Sequence, residues 1–271
     1  MLVALSVATR AASSFPTQEV APGVLLVGRL NTNVIDESSG VIPSHRALGA
    51  YWTHNDGDNS IFAFTRAGQS LGKWSINGPR LRDFEDIAWS PGRIYIADIG
   101  NNFLTRSNIA VYAVPEPGPT FSDSLPLKGQ WRLTYPNAQP FDAESFFVHK
   151  RHGYIVSKEV LGGVAGVYRF PLRRFQSTLE PRCQLNVGAR VGGADMTRNG
   201  TRLAIITDDG PSVFLLPGVV PENGVLTPDF SVPFAFEGME GCCFTRSGLL
   251  VTAETGEIFL FTHELFRVGR L

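Results

Sequence analysis

Hydrophobic and polar positions alternate in short bursts along the chain, and the bursts recur. The clearest column is an apolar residue, an aromatic, any residue, then an apolar residue. It reads Ile61-Phe62-Ala63-Phe64, Val111-Tyr112-Ala113-Val114, Val167-Tyr168-Arg169-Phe170, Val213-Phe214-Leu215-Leu216 and Ile258-Phe259-Leu260-Phe261. Successive aromatics lie 50, 56, 46 and 45 residues apart. Alternation of β-branched and aromatic residues predicts a strand at each place. A second strand precedes each one, at Tyr51-Trp52-Thr53, Ile94-Tyr95-Ile96, Tyr154-Ile155-Val156, Leu203-Ala204-Ile205 and Leu249-Leu250-Val251. Turns such as Ser90-Pro91-Gly92 and Asn199-Gly200-Thr201 come before that, with Asn-Gly a strong hairpin signal. A third strand precedes the turn, as in Ile87-Ala88-Trp89. A fourth follows the aromatic column, as in Leu71-Gly72-Lys73-Trp74-Ser75.

Four antiparallel strands in each unit of about 45 to 55 residues are the pattern of a β-propeller blade. Five units are visible, and the fifth has only three strands before the chain ends. The missing outer strand is expected from Val24-Leu25-Leu26-Val27-Gly28, which would close the ring. The fold expected is therefore all-β: a five-bladed β-propeller of four-stranded antiparallel blades closed by an N-terminal strand. A six-bladed ring is the alternative. Residues 21–271 would form that single domain, with residues 1–20 a tail or the remnant of a signal peptide. No sustained 3.6-residue periodicity supports helices.

Composition agrees. Gly 28 and Pro 18 make about one residue in six of 271, which favours turns over long helices. Net charge is -1, which gives no global attraction to nucleic acid, and no apolar run is long enough to span a membrane. Cys183, Cys242 and Cys243 are too few for a disulfide framework. The adjacent pair reads as two small apolar residues of a buried strand. Gly68-Gln69-Ser70-Leu71-Gly72 matches a serine-hydrolase pattern but lies between two strands. That makes it a hairpin turn, and no nucleophile is expected at Ser70. Gly162-Gly163-Val164-Ala165-Gly166 lacks the lysine and helix of a phosphate loop.

Polar residues change the picture. The innermost strand of four units opens on an acid: Glu85, Glu144, Asp195 and Glu240, with Asp86 beside the first. The first unit has Ser38-Ser39 there, with Glu37 nearby. The second strands end in Asn55-Asp56, Asp98, Lys158-Glu159, Asp208-Asp209 and Glu254. Antiparallel pairing returns the end of the second strand to the face where the first began. Both columns should therefore surround one mouth of the central tunnel. Taken one per blade in each column, Glu85, Glu144, Asp195, Glu240, Asp56, Asp98, Glu159, Asp208 and Glu254 are nine acids, which leave sixteen facing 24 basic residues, so the rest of the chain is formally +8.

Crowded carboxylates must protonate or find a cation. Calcium accepts many oxygens in flexible geometry. Glu85, Glu144, Asp195, Glu240, Asn55 and Asp98 are its expected ligands. Asp56, Asp86, Asn101, Glu159, Asp208 and Glu254 are expected to contact a small-molecule, glycan or protein ligand. For the second-strand acids the competing role, holding backbone N–H groups and locking blade to blade, is preferred. Zinc does not suit the spacing of His45, His54, His149, His152 and His263.

Trp52-Thr53-His54-Asn55-Asp56, Asp83-Phe84-Glu85-Asp86-Ile87-Ala88, Ile96-Ala97-Asp98-Ile99-Gly100-Asn101-Asn102, Asp142-Ala143-Glu144 and Ser157-Lys158-Glu159 stand in a recognisable order. Over residues 35 to 260 the chain resembles poorly characterised bacterial propellers and is similar to SdiA-regulated and phytase-esterase-like propellers. The resemblance implies a propeller, often exported, with bound calcium. Phytase propellers also hold phosphate with basic residues, for which only Lys158, Arg80 and Arg82 are available. The function expected is a calcium-binding propeller presenting an acidic funnel to a ligand. The alternative is a metal-dependent hydrolase of phosphoesters, lactones or glycosides, with Glu85, Glu144 and Glu240 leading and Lys158 or His54 assisting. A monomer without a membrane span is expected, secreted or periplasmic, with the cytoplasm as the alternative.

Overall fold

A computed structural model describes residues 15–78, 81–120, 123–159 and 163–267. The expected segment Met1 to Ala8 and Arg80 lie outside these residues. Inner strands Val41–Pro43, Phe84–Ser90, Ala143–His149, Val191–Met196 and Met239–Thr245 stand side by side around one axis. Each begins a sheet that runs outward through two further antiparallel strands, as in Phe84–Ser90, Arg93–Asp98 and Asn108–Pro115. The result is an all-β, five-bladed β-propeller.

The ring closes as expected. Val24–Arg29 pairs antiparallel with Glu257–Thr262 and becomes the outer strand of the fifth blade. Its neighbour Gln18–Ala21 adds an outermost strand, so the fold begins inside the range expected to be a tail. The outer edges are fuller than four strands per blade. Asp123–Pro126, Gln176–Thr178 and Val225–Leu226 each lie parallel on the outer strand of the preceding blade. These short strands cover edges that would otherwise present unpaired N–H and C=O groups.

The packing explains the sequence pattern. Each of five apolar clusters fills the gap between two neighbouring blades. Successive side chains of a strand point to opposite faces. Ile94 and Ile96 therefore face the first blade, while Tyr95 and Ala97 face the third. Both faces of a blade are covered, so the second strands are apolar almost throughout. Cys242 and Cys243 follow the same rule: they enter clusters on opposite sides of the fifth blade and are free thiols. Gly68, at φ +87°, turns the chain where an added Cβ would meet the Arg29 carbonyl. Strand Ser70–Asn77 follows directly, so no helix follows Ser70.

Candidate functional site

The antiparallel register sets Phe84 opposite Asp98, Ala143 opposite Ser157, Val191 opposite Thr207 and Met239 opposite Ala253. Just after each of these pairs the register slips by one residue. The unpaired residues are Glu85, Glu144, Gly192 and Glu240. A β-bulge re-aims its side chain, so three blades deliver a carboxyl at the same place. All three carboxyls are buried. The fourth blade has glycine there, and Asp195 stands three residues further along. Asp195 is thus not a member of this ring: its carboxylate accepts N–H bonds from Met196 and from Phe244 of the next blade, at 2.8 and 2.7 Å. Asp86 acts similarly, accepting from the Ile87 and Phe146 amides at 2.8 Å each. These two acids fasten blades together, a role the sequence reading preferred only for the second strands.

One side of the funnel is neutralised. The Lys158 ammonium pairs with Glu144, donates to Asn102 Oδ1 at 3.0 Å and lies 3.6 Å from Asp142. Arg190 holds Asp208 at 3.0 Å and reaches to 3.8 Å from Glu144 and 4.0 Å from Glu240. It fills the sector where Gly192 leaves no acid. Asp98 is paired with Arg106 at 2.8 Å and accepts from the Asp83 amide. Asn101 staples its own loop, accepting from the Arg106 amide and donating to the Tyr135 hydroxyl. Glu159 is half-buried behind Lys158, with φ at 45°. Arg82 lies away from this mouth, in a 310 Å³ crevice with Asp98 and Arg106.

The other side keeps its acids. Burial pushes the Asp56 carboxyl up to about 7, with Glu37, Asp83 and Glu254 adding repulsion against the Ser39 hydroxyl bond. Burial, then Asp56, Asp83 and Glu240, raise Glu85 well above the usual range. Burial and the neighbours Glu254 and Asp56 lift Glu240 to about 8. Glu85 and Asp83 act on each other as neighbours, as do Glu240 and Glu254. Two carboxyl pairs and Asp56 therefore converge from the fifth, first and second blades.

The six residues expected to bind calcium do not form one shell. Glu144 and Asp98 are ion-paired and Asp195 is tied to amides. Asn55 donates to the Val34 carbonyl, leaving its buried Oδ1 unpartnered among the described residues. No group of three or more His, Cys, Asp or Glu side chains among the described residues is placed to hold a metal ion. His54 lies below the funnel, with no exposure and its ring stacked on Phe84 at 3.5 Å. Burial lowers its pKa to about 3.

Arg190 was missed by sequence reasoning; the usable signal was the absence of an acid from the fourth bulge. Asp83 also went unassigned, although it stands two residues before Glu85.

No family model matches the chain, and no curated protein matches it either. Among solved structures, Kuenenia stuttgartiensis hydrazine synthase is similar with TM-score 0.44 and 11% identity, covering 81% of this chain and 56% of that one. U3-55K is similar with TM-score 0.43 and 10% identity, covering 82% and 66%. The chain thus spans less than two thirds of either. Among the described residues no helix is long and apolar enough to cross a membrane.

Proposed function

We propose that this propeller is a binding protein whose acidic funnel receives a positively charged group, presented by a small molecule or by a basic side chain of a protein. One observation carries the reading. Glu85 and Glu240 are buried and Asp56 is half-buried, Asp56 raises the pKa of both glutamates, and the nearest cation to Glu240, Arg190, stands at 4.0 Å. A cation placed among them would relieve that repulsion and return the carboxyls to their charged form. Charge-assisted hydrogen bonds of this kind contribute about 1.5–3 kcal/mol each. Calcium is one such cation, supported by the resemblance to exported calcium-binding propellers. It would need the Glu85 and Glu240 side chains to close on it with Asn55 Oδ1 and Asp56. A hydrolase reading draws support from the neighbouring carboxyls Asp83 with Glu85 and Glu240 with Glu254, since paired carboxyls suit acid–base work.

Calorimetry at pH 8 separates these readings, with arginine methyl ester, butylamine and calcium chloride as probes. Saturable binding of the organic cations, weakened at least tenfold by Glu85→Gln or Glu240→Gln, is expected. Binding of calcium alone, reversed by chelator, would replace the organic cation by the metal. Turnover of p-nitrophenyl phosphates, glycosides or lactones that disappears in Glu85→Gln or Glu240→Gln would establish the hydrolase. No binding by any cation would remove the proposal.

A further inference from the structure

The mouth opposite the acidic funnel has the reverse charge. It is framed by the five turns that join each inner strand to the second strand, at residues 43–49, 90–93, 149–152, 197–202 and 245–248. Together they carry seven Lys or Arg and no Asp or Glu. A cavity of about 450 Å³ lies between them, and all five blades line it. That volume suits a small organic ligand. Its apolar surfaces include Ile42, Val148, Met196 and Phe244, and its cations are Arg198 and Lys150.

The entrance is organised rather than loose. His45 of the first blade stacks on Trp89 of the second at 3.5 Å. The Arg198 guanidinium crosses from the fourth blade and sits over the Trp89 ring at 4.9 Å. Glu116 fixes the other side of that stack. Its carboxylate accepts from the Trp89 indole and the His45 amide at 2.7 Å each, and from the Ser44 hydroxyl at 3.0 Å. Burial lowers the His45 pKa, the Glu116 charge opposing it, so Arg198 and Lys150 supply the positive charge. The two carboxylates bordering the cavity, Glu116 and Asp195, are both satisfied by protein donors. A second hollow, of about 850 Å³, shares His45, Arg198 and Phe244 and adds Arg66 and Arg246.

We infer that this mouth is a second binding site, for a small amphipathic anion: a carboxylate or phosphate head on a flat or extended apolar body. The apolar body lies against Phe244, Met196 and Ile42, and the head meets Arg198 and Lys150. The guanidinium already stacked on an aromatic ring loses little freedom on taking up an anion. The site is independent of the cation-binding reading of the acidic funnel.

Calorimetry with 2-naphthoate and 2-naphthyl phosphate, against 2-naphthol and 2-naphthylmethylammonium, tests it. Both anions should bind at least tenfold more tightly than the neutral and cationic analogues. Arg198→Ala, at an exposed position, should weaken the anions at least tenfold, and Lys150→Ala about threefold. Glu240→Gln, in the opposite funnel, should leave them unchanged. Equal affinity for all four probes, no saturable binding, or indifference to Arg198→Ala would each overturn the inference. So would Arg198-dependent sedimentation with anionic phosphatidylglycerol vesicles without binding of either soluble anion.

Discussion

Glu240 and Asp56 show how a single carboxyl records its surroundings. Both have native pKa values raised above their unfolded values, from 4.5 to about 8 and from 3.8 to about 7. The native state therefore holds more protons than the unfolded chain in that range, and stability falls as pH rises through it. His54 acts in the opposite direction below pH 6.5, because its native pKa of about 3 keeps it neutral while the unfolded histidine charges. The clean window is pH 6.5 to 8.5. There Asp195, also lifted by burial to about 7, acts in the same direction, and the free protein should lose about 2–4 kcal/mol, since one pKa unit corresponds to 1.36 kcal/mol. Thermal melts should show it, and Glu240→Gln should raise the melting temperature at pH 8.5 and flatten the slope. Asp86 tests the fastening role. Asp86→Ala leaves the buried Ile87 and Phe146 amides without their acceptor, which should cost about 2–4 kcal/mol by urea unfolding. Cation affinity in the funnel should stay within twofold of the parent.

At the scale of elements, the inner strands decide where side chains go. Their sequences are similar, yet the slip between Val191 and Gly193 falls on a glycine in the fourth blade and on glutamate in three others. Close approach explains the small residues there. A Cβ on Gly193 would stand 1.7 Å from the Glu240 carbonyl oxygen of the neighbouring strand, and one on Gly192 2.7 Å from the Met239 carbonyl oxygen. Gly193→Ala should force the fourth and fifth blades apart and destabilise by about 3 kcal/mol or more, read from the urea midpoint. The loss should extend to cation binding, because Glu240 would move with its strand. Strand existence was legible because alternating β-branched and aromatic residues have few other ways to be buried. The bulge register was not, because a one-residue slip leaves the composition of a strand unchanged. For that reason Asp195 was placed beside Glu85, Glu144 and Glu240, although it belongs to a different step of its strand.

Across the whole molecule, stability depends on closing the ring. Val24 and Val27 are buried; their strand completes the fifth blade by pairing with Glu257–Thr262, and Val27 packs against the first blade. Removal of residues 15–30 should abolish the cooperative unfolding transition, because it exposes both the fifth blade's edge and the apolar seam beside the first blade. Urea titration followed by tryptophan fluorescence checks this. Closure also separates charge. Turns on one mouth carry only basic residues, while bulges and strand ends on the other supply carboxyls, so a near-zero net charge is the sum of two opposed faces.

By itself the sequence pointed to five blades over six, the order of the three inner strands in each, the closing strand and the face on which most acids gather, because two-residue alternation and a recurring 45-to-56-residue interval survive in any linear reading; the outermost strands on the blade edges were set only by the fold. Tertiary structure alone decided which acids have a cation closer than 4.0 Å. Lys158 reaches Glu144, Arg190 comes between Glu144 and Glu240, and Arg106 takes Asp98, contacts set by distances across or between blades that no local pattern encodes. What is left, Asp56 with Glu85 and Glu240, is a group only because three separate blades bring their side chains within electrostatic reach of one another.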